Sequence, residues 1–264
     1  MKQIALRKWL LLAGVASLLA AAPADAAPIP AGWLCSGNCG TSGPDGVVTS
    51  PPSLGPNYQY ITTAGQPNLG VANPGSLGLG GERSGSRLDT SVFTVASGDS
   101  LGFFFNYVTS DGAGFADYAF VRLLNLTAKT SDVLFTGRTI AAGNTVPGFG
   151  LPGITPGVTL NPTSTAIIPG GPVWSLLGGD SGRCFSAGCG YTGWIQMNYT
   201  LPTPGNYQLQ FGVTNWIDTD FASGLAIAGA TINDREIVQV PASMAISLFG
   251  VGLLALGAVV RRRA

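Results

Sequence analysis

Apolar and polar side chains alternate along several short stretches in the middle of the chain. In residues 207–214 every second position is apolar and the positions between are polar or glycine. This period of two predicts a strand with one face on a core and the other in water. Residues 103–108 are apolar on both faces and predict a strand packed on both sides. Further strands are predicted at 58–62, 89–96, 116–126, 132–136, 193–201 and 224–233.

No segment between residues 27 and 240 shows a sustained period of 3.6 residues, and the chain contains 39 Gly and 18 Pro. Seven to ten short strands separated by turns such as 97–99 and 203–205 favour a single all-β domain. We predict a jelly-roll-like β-sandwich with long Gly/Pro-rich loops. Residues 141–171 lack periodicity and are predicted to form a long surface excursion.

Both ends of the chain have a different character. Lys2, Arg7 and Lys8 precede an apolar run at 9–22 and small residues at 24–26, which predicts a signal peptide, residues 1–26, with its helix. An uncleaved anchor is the alternative. At the other end, residues 242–260 carry no charge, and a helix of that length reaches about 28 Å, enough to cross a bilayer. The sequence therefore predicts an exported domain at 27–240 and a C-terminal transmembrane helix within 241–264.

The C-terminal tail resembles the PEP-CTERM sorting signal, which joins a Pro-containing motif, an apolar span and a terminal arginine cluster. The matching residues are Val240, Pro241, Ala242, Ser243, Arg261, Arg262 and Arg263. The Val-Pro-Ala-Ser stretch stands where the family has Pro-Glu-Pro. The resemblance covers about the last 25 residues and implies an exosortase-type sorting enzyme as partner, in a Gram-negative bacterium that makes exopolysaccharide. It also implies transient anchoring in the inner membrane, then display at the cell surface or in the matrix. An ordinary tail anchor is the alternative.

The amino-acid composition excludes several kinds of catalytic site and binding partner. The chain has no His, which excludes Ser-His-Asp and Cys-His catalysis and His-ligated metals. Residues 27–240 contain 12 acidic and 7 basic side chains. Because they offer no basic stripe for phosphates, we do not expect a nucleic-acid partner.

Four cysteines follow the signal peptide: Cys35, Cys39, Cys184 and Cys189. An even count in an exported chain predicts two disulfides, most simply Cys35 with Cys39 and Cys184 with Cys189, although three connectivities are formally open. Such local bridges would fix Gly-rich turns. The alternative, a metal held by the four thiolates, requires all four sulfurs to converge.

Residues 109–117 join two predicted strands and are rich in Asp and Gly. Carboxylates and backbone carbonyls at this density suit a Ca²⁺ ion, with Asp111 and Asp117 as candidate ligands. A plain hairpin connection with Asp111-Gly112 as its turn is the alternative. Apart from this Ca²⁺ we expect no cofactor.

Residues 215–221 follow the alternating strand and combine an amide, an indole and two carboxylates: Asn215, Trp216, Asp218 and Asp220. Sugar sites on β-sandwiches use this chemistry, because an aromatic face stacks on the ring and the polar groups bond its hydroxyls. The alternative is that the aromatic residues belong to the core.

These observations predict a non-enzymatic surface protein that acts in adhesion or in contact with glycan or exopolysaccharide. The competing hypotheses are a carbohydrate-active hydrolase that uses two Asp carboxylates, and a purely structural matrix component.

Overall fold

The computed structural model describes residues 28–238. The predicted signal peptide 1–26 and the predicted transmembrane segment 242–260 lie outside the described residues. So do the residues of the tail motif: Val240, Pro241, Ala242, Ser243, Arg261, Arg262 and Arg263. Between residues 28 and 238 there is no helix of the length and hydropathy that a membrane span requires.

The described residues form 17 strands and two short 3-10 helices, Gly70–Ala72 and Ser175–Asp180. In chain order the strands are β1 (Leu34–Ser36), β2 (Asn38–Ser42), β3 (Tyr58–Thr62), β4 (Glu82–Asp89), β5 (Phe93–Val95), β6 (Ser100–Thr109), β7 (Tyr118–Asn125), β8 (Thr130–Arg138), β9 (Asn144–Val146), β10 (Thr159–Asn161), β11 (Thr165–Ala166), β12 (Ile168–Pro169), β13 (Gly190–Tyr191), β14 (Ile195–Thr200), β15 (Gly205–Trp216), β16 (Ser223–Ile232) and β17 (Arg235–Glu236).

Two antiparallel sheets make up the body of the domain. The six-stranded sheet has the order β1-β4-β15-β7-β8, with β5 also paired to β15. The nine-stranded sheet has the order β10-β14-β6-β16-β3-β2, and β12, β13 and β17 are attached to it. The central orders β4-β15-β7-β8 and β14-β6-β16-β3 are those of a jelly roll. The structure therefore confirms the predicted all-β sandwich.

The main core lies between the two sheets. Alternate side chains of β15, including Leu209, Phe211 and Val213, face those of β6, including Phe103 and Phe105, and all are buried. The rings of Phe103 and Phe211 meet edge to face with centroids 5.4 Å apart. The period-two prediction for β15 is thus confirmed.

A second apolar cluster covers the outer face of β6. Phe104 and Val108 pack there with Tyr58 and Trp174. The buried Trp174 indole N–H donates to the Tyr58 hydroxyl at 3.0 Å. The segments around residues 48 and 174 therefore form a third layer, which explains why β6 is apolar on both faces, as predicted.

Three sequence predictions about strands need correction. The described chain has 17 strands instead of seven to ten, and residues 141–171 contain the short strands β9 to β12. The predicted strand 89–96 is interrupted, because β4 ends at Asp89 and β5 begins at Phe93. Strand β4 was not predicted, and its Gly and Ser residues show no alternation of apolar and polar side chains. A methyl group on Gly85 would lie 2.3 Å from Asn73 Oδ1, so close packing favours glycine there.

Both predicted disulfides are present. Cys35–Cys39 has a Cα–Cα distance of 6.0 Å and links β1 of one sheet to β2 of the other. Cys184–Cys189, with a Cα–Cα distance of 5.6 Å, closes the loop before β13. No described cysteine is left as a thiol.

Glu82 is a buried carboxylate that fixes the start of β4. Its Oε1 accepts hydrogen bonds from the Leu79 N–H (2.6 Å) and the Tyr118 hydroxyl (2.8 Å), and its Oε2 accepts one from the Gly80 N–H (2.7 Å). Burial favours the neutral acid, but these bonds outweigh it and hold the pKa of Glu82 below its ordinary value of 4.5.

We predict that Glu82→Gln lowers the free energy of unfolding at pH 7 by about 1–3 kcal/mol, because the amide replaces an acceptor with a donor. The lowered pKa means that the advantage of the wild type is present above pH 4.5 and is lost as the pH falls through the folded-state pKa. Urea titrations between pH 3 and 7 measure both effects. The exposed Glu236 provides the control Glu236→Gln, and equal stability of the two variants would contradict the prediction.

Candidate functional site

Acidic side chains gather at one end of the sandwich, which we call the acidic end: Asp111, Asp117, Asp180, Asp218 and Asp220. Backbone hydrogen bonds hold its loops together. The Phe185 N–H donates to the Ser110 carbonyl, and the Ser110 N–H donates to the Ala222 carbonyl. Asp180 Oδ2 accepts from the Ala222 N–H at 3.0 Å. The loops 110–117, 180–189 and 217–222 therefore form one structure.

Asp117 lies at the centre of the acidic end and is fully buried. Its Oδ1 accepts a hydrogen bond from the Trp216 N–H at 2.8 Å, and its Oδ2 lies 2.7 Å from the Ser223 hydroxyl. Burial, reinforced by the negative charge of Asp111, raises the pKa of Asp117 well above its ordinary value.

Asp111 is 1% exposed. Its backbone N–H donates to Thr109 Oγ1 (3.1 Å), which lies 2.7 Å from Ser223 Oγ, so a short chain of polar contacts connects Asp111 to Asp117. Asp111 Oδ1 accepts from the Gly112 N–H, but Oδ2 has no hydrogen-bond partner in the described part of the chain. Burial and the charges of nearby carboxylates, first among them Asp218, raise the pKa of Asp111 to about 7.

Asn215 is fully buried, and neither its Oδ1 nor its Nδ2 has a hydrogen-bond partner within residues 28–238. It continues the inward-facing register of Phe211 and Val213. The ladder between β15 and β7 ends at the pair Thr214 and Tyr118. Beyond it the Trp216 N–H donates to Asp117 Oδ1, so the backbone next to Asn215 lies beside Asp117.

Trp216 points to the other side of the same strand. The Arg138 guanidinium lies 4.6 Å from the centre of its indole. A methyl group on Gly81 would approach the indole to 2.3 Å, so the chain packs closely against this ring. The ring therefore packs against neighbouring chain, away from Asn215.

Asp218 and Asp220 lie in the loop that follows. Asp218 Oδ1 accepts the Asp220 N–H at 3.0 Å, and Asp220 is exposed. The structure thus places the four predicted sugar-contacting residues in three directions: Asn215 inward, Trp216 against the outer face of its sheet, and the two carboxylates in the loop.

Sequence reasoning missed a group of phenylalanines at the surface of the acidic end, which we call the aromatic patch: Phe115, Phe185 and Phe221. The Phe185 ring lies 5.2 Å from Phe115 and 5.1 Å from Phe221, and Phe185 is 47% exposed. The Arg183 guanidinium lies 4.7 Å from the Phe221 ring and 2.8 Å from Asp180 Oδ1. The position of Phe185 between two disulfide-bonded cysteines was a signal that could have indicated an exposed, braced ring.

No three His, Cys, Asp or Glu side chains of residues 28–238 form a group that could hold a metal ion by themselves. Asp111 and Asp117 are nevertheless brought to the same end of the domain. Any cation there requires further oxygen ligands from amides, carbonyls or water.

No protein-family model and no curated protein matches the chain. Two solved structures that it resembles are the K1 and K3 cleaved adhesin domains of Lys-gingipain (Kgp) from Porphyromonas gingivalis W83. The K1 match has 14% identity and a TM-score of 0.33 and covers 76% of this chain and 92% of that domain. The K3 match has 12% identity and a TM-score of 0.30 and covers 76% and 93%. At this level the resemblance assigns neither ligand nor activity.

The raised pKa of Asp111 predicts an unusual pH dependence in the presence of a chelator. Between its ordinary value of 3.8 and about 7 the folded state keeps a proton that the unfolded chain has lost, so stability falls as the pH rises through this range. We predict that Asp111→Asn reduces this decline and is more stable than the wild type at pH 7.5. Urea midpoints measured from pH 4 to 8 test this, with Asp234→Asn in an exposed turn as control. An unchanged slope would show that Asp111 is not the titrating group.

Proposed function

We propose that this chain is an exported, non-enzymatic surface protein whose acidic end contacts glycan. The observation that carries the proposal is the aromatic patch, which lies beside the exposed Asp220 and the half-buried Asp180 on loops braced by a disulfide. Flat apolar rings next to hydrogen-bonding groups are what a sugar ring requires, because it has both an apolar face and hydroxyls.

The Cys184–Cys189 bridge closes the loop that carries Phe185, and the Phe185 N–H is bonded to Ser110. Ordering of this loop before a ligand arrives reduces the entropy lost on binding. Asp180, Arg183 and Asp220 supply acceptors and donors around the rings. An open depression lined by residues that include Tyr60, Leu176 and Asp180 adjoins this surface. We assign the glycan contact to the aromatic patch together with Asp180, Arg183, Asp218 and Asp220. Trp216 is left out because its ring packs against neighbouring chain.

Export is supported by the two disulfides, which persist in oxidising compartments. With the signal peptide predicted for residues 1–26 and the PEP-CTERM-like tail, this favours passage through the inner membrane of a Gram-negative bacterium. In this proposal the C-terminal helix anchors the chain in transit. An exosortase-type enzyme then acts on the tail, and the domain remains at the cell surface or in the exopolysaccharide matrix.

The hydrolase hypothesis is less well supported. A glycosidase needs one protonated and one ionised carboxyl, both in contact with the substrate. The two carboxyls with the most strongly raised pKa, Asp111 and Asp117, are at most 1% exposed and cannot reach a sugar ring as the loops stand. A purely structural matrix role would leave the aromatic patch without a ligand.

Removal of the central ring of the patch tests glycan contact. We predict that Phe185→Ala weakens binding of the purified protein to polysaccharide by about tenfold, because a few central anchor residues contribute most of the binding energy and a loss of about 1.4 kcal/mol is tenfold in affinity. A glycan array identifies the polysaccharide, and retention on a column of it gives the affinity. Phe149, 74% exposed and outside the patch, provides the control Phe149→Ala. Absence of binding by the wild type to any glycan would favour the structural role.

The predicted anchor has a separate test. A stop codon in place of Ala242 should move the protein from the membrane or surface fraction to the freely soluble exported fraction, because the apolar span is removed. Cell fractionation followed by immunoblotting measures this. An unchanged distribution would refute the anchor and leave the glycan proposal untouched.

A further inference from the structure

Three buried polar residues lie at the acidic end: Asp111, Asp117 and Asn215. Asp111 Oδ2 and both amide atoms of Asn215 have no hydrogen-bond partner among residues 28–238, and Asp117 is fully buried. Buried polar atoms are normally satisfied, and an orphaned one costs about 1–3 kcal/mol. We propose that Asp111, Asp117 and Asn215 bind a Ca²⁺ ion that completes this end of the sandwich.

The strand registers bring these groups together. The Trp216 N–H, next in the chain to Asn215 on β15, bonds Asp117 Oδ1 just before β7, and on the opposite sheet Thr109 pairs with Ser223. The Ser223 hydroxyl spans the gap between the sheets, 2.7 Å from both Asp117 Oδ2 and Thr109 Oγ1. The Asp111 N–H bonds Thr109, so the backbone of Asp111 lies beside the same group. All three proposed ligand residues therefore lie at this end of the two sheets.

Charge supports a divalent cation. The described residues form two ion pairs, Arg87–Asp89 and Arg183–Asp180, and neither includes Asp111 or Asp117. Two further basic side chains lie at this end and bond carbonyls: Arg138 donates to Ala116 and Phe149 and stacks on Trp216, and Arg83 donates to Ile217 and Glu82. Two buried carboxylates without a basic partner are costly, and an ion of charge +2 neutralises both.

The ligand types select calcium. The group offers a metal ion only oxygen ligands, because the nearby Cys184 and Cys189 form a disulfide and are not free thiolates. Carboxylate and amide oxygens suit Ca²⁺, which accepts six to eight such ligands in flexible geometry, whereas Mg²⁺ requires a near-ideal octahedron. Two carboxylates and one amide leave room for backbone carbonyls and water. This agrees with the finding that no third acidic side chain of the described range completes the group.

Bound calcium would join the β6–β7 loop to the end of β15. Phe115 lies in the first loop and Phe221 in the loop that follows β15, so the ion would support the aromatic patch from beneath. The metal site does not depend on the identity of any glycan, because its ligands lie in the interior.

Asn215→Leu gives the sharpest test. The substitution keeps a similar volume and removes two orphaned polar atoms together with the proposed amide ligand. In chelator the variant should be as stable as the wild type or more so, because replacing unsatisfied polar groups by apolar ones of similar shape is neutral or stabilising. In calcium the order should reverse. Asp111→Asn should also lose the calcium response, and Asp234→Asn should keep it.

The measurements are isothermal titration of the chelator-treated full chain with CaCl₂ and thermal unfolding with and without the ion. At calcium about 100-fold above Kd we expect a rise in Tm of about 5–10 °C for the wild type. Absence of calcium binding, the same rise in Asn215→Leu, or an equal rise with MgCl₂ would overturn the proposal. Loss of glycan binding in a variant that still binds calcium would refute only the link to the aromatic patch.

Discussion

Burial of β6 on both faces is the constraint on which the rest of the structure depends. One face supplies Phe103, Phe105 and Tyr107 to the core between the sheets, and the other supplies Phe104 and Val108 to the outer cluster. A strand of this kind must lie inside its sheet and must be covered on the outside. It therefore requires β14 and β16 as neighbours and the segments around residues 48 and 174 as a third layer.

The same strand connects the core to the acidic end. The hydroxyl of the buried Tyr107 donates to the Asp117 carbonyl at 2.9 Å and lies 3.0 Å from Thr139 Oγ1. Two residues further along β6, Thr109 begins the polar contacts that reach Asp111 and Asp117. Because the apolar core ends there, carboxylates at this point are removed from water without being surrounded by charge partners. This burial disfavours the charged form and raises the pKa of both Asp111 and Asp117.

Local patterning predicted every described strand of six or more residues except β4, but it missed most of the shorter ones. The alternation along 207–214 identified β15, and residues 58–62 coincide with β3. Strand β4 escaped detection because its glycine and serine side chains are small for reasons of packing, with Asn73 pressed against Gly85. The strands within 141–171 are only two or three residues long, and such segments are fixed by pairing with partners distant in sequence, which no local pattern reveals.

The sequence by itself determined the all-β class and the two-faced character of β6, because both follow from side-chain period. It favoured the local pairing of the cysteines because of their short spacing, and the structure then decided among the three connectivities. It also selected Asp111, Asp117 and Asn215 as polar residues of interest, but in two unrelated sites. Only the tertiary structure decided that the three share one end of the sandwich and that Trp216 faces away from them. That outcome depends on which strands become neighbours and in what register. Contacts such as those of Trp216 and Ser223 with Asp117 fix it, and they join residues 99 and 106 positions apart in the chain.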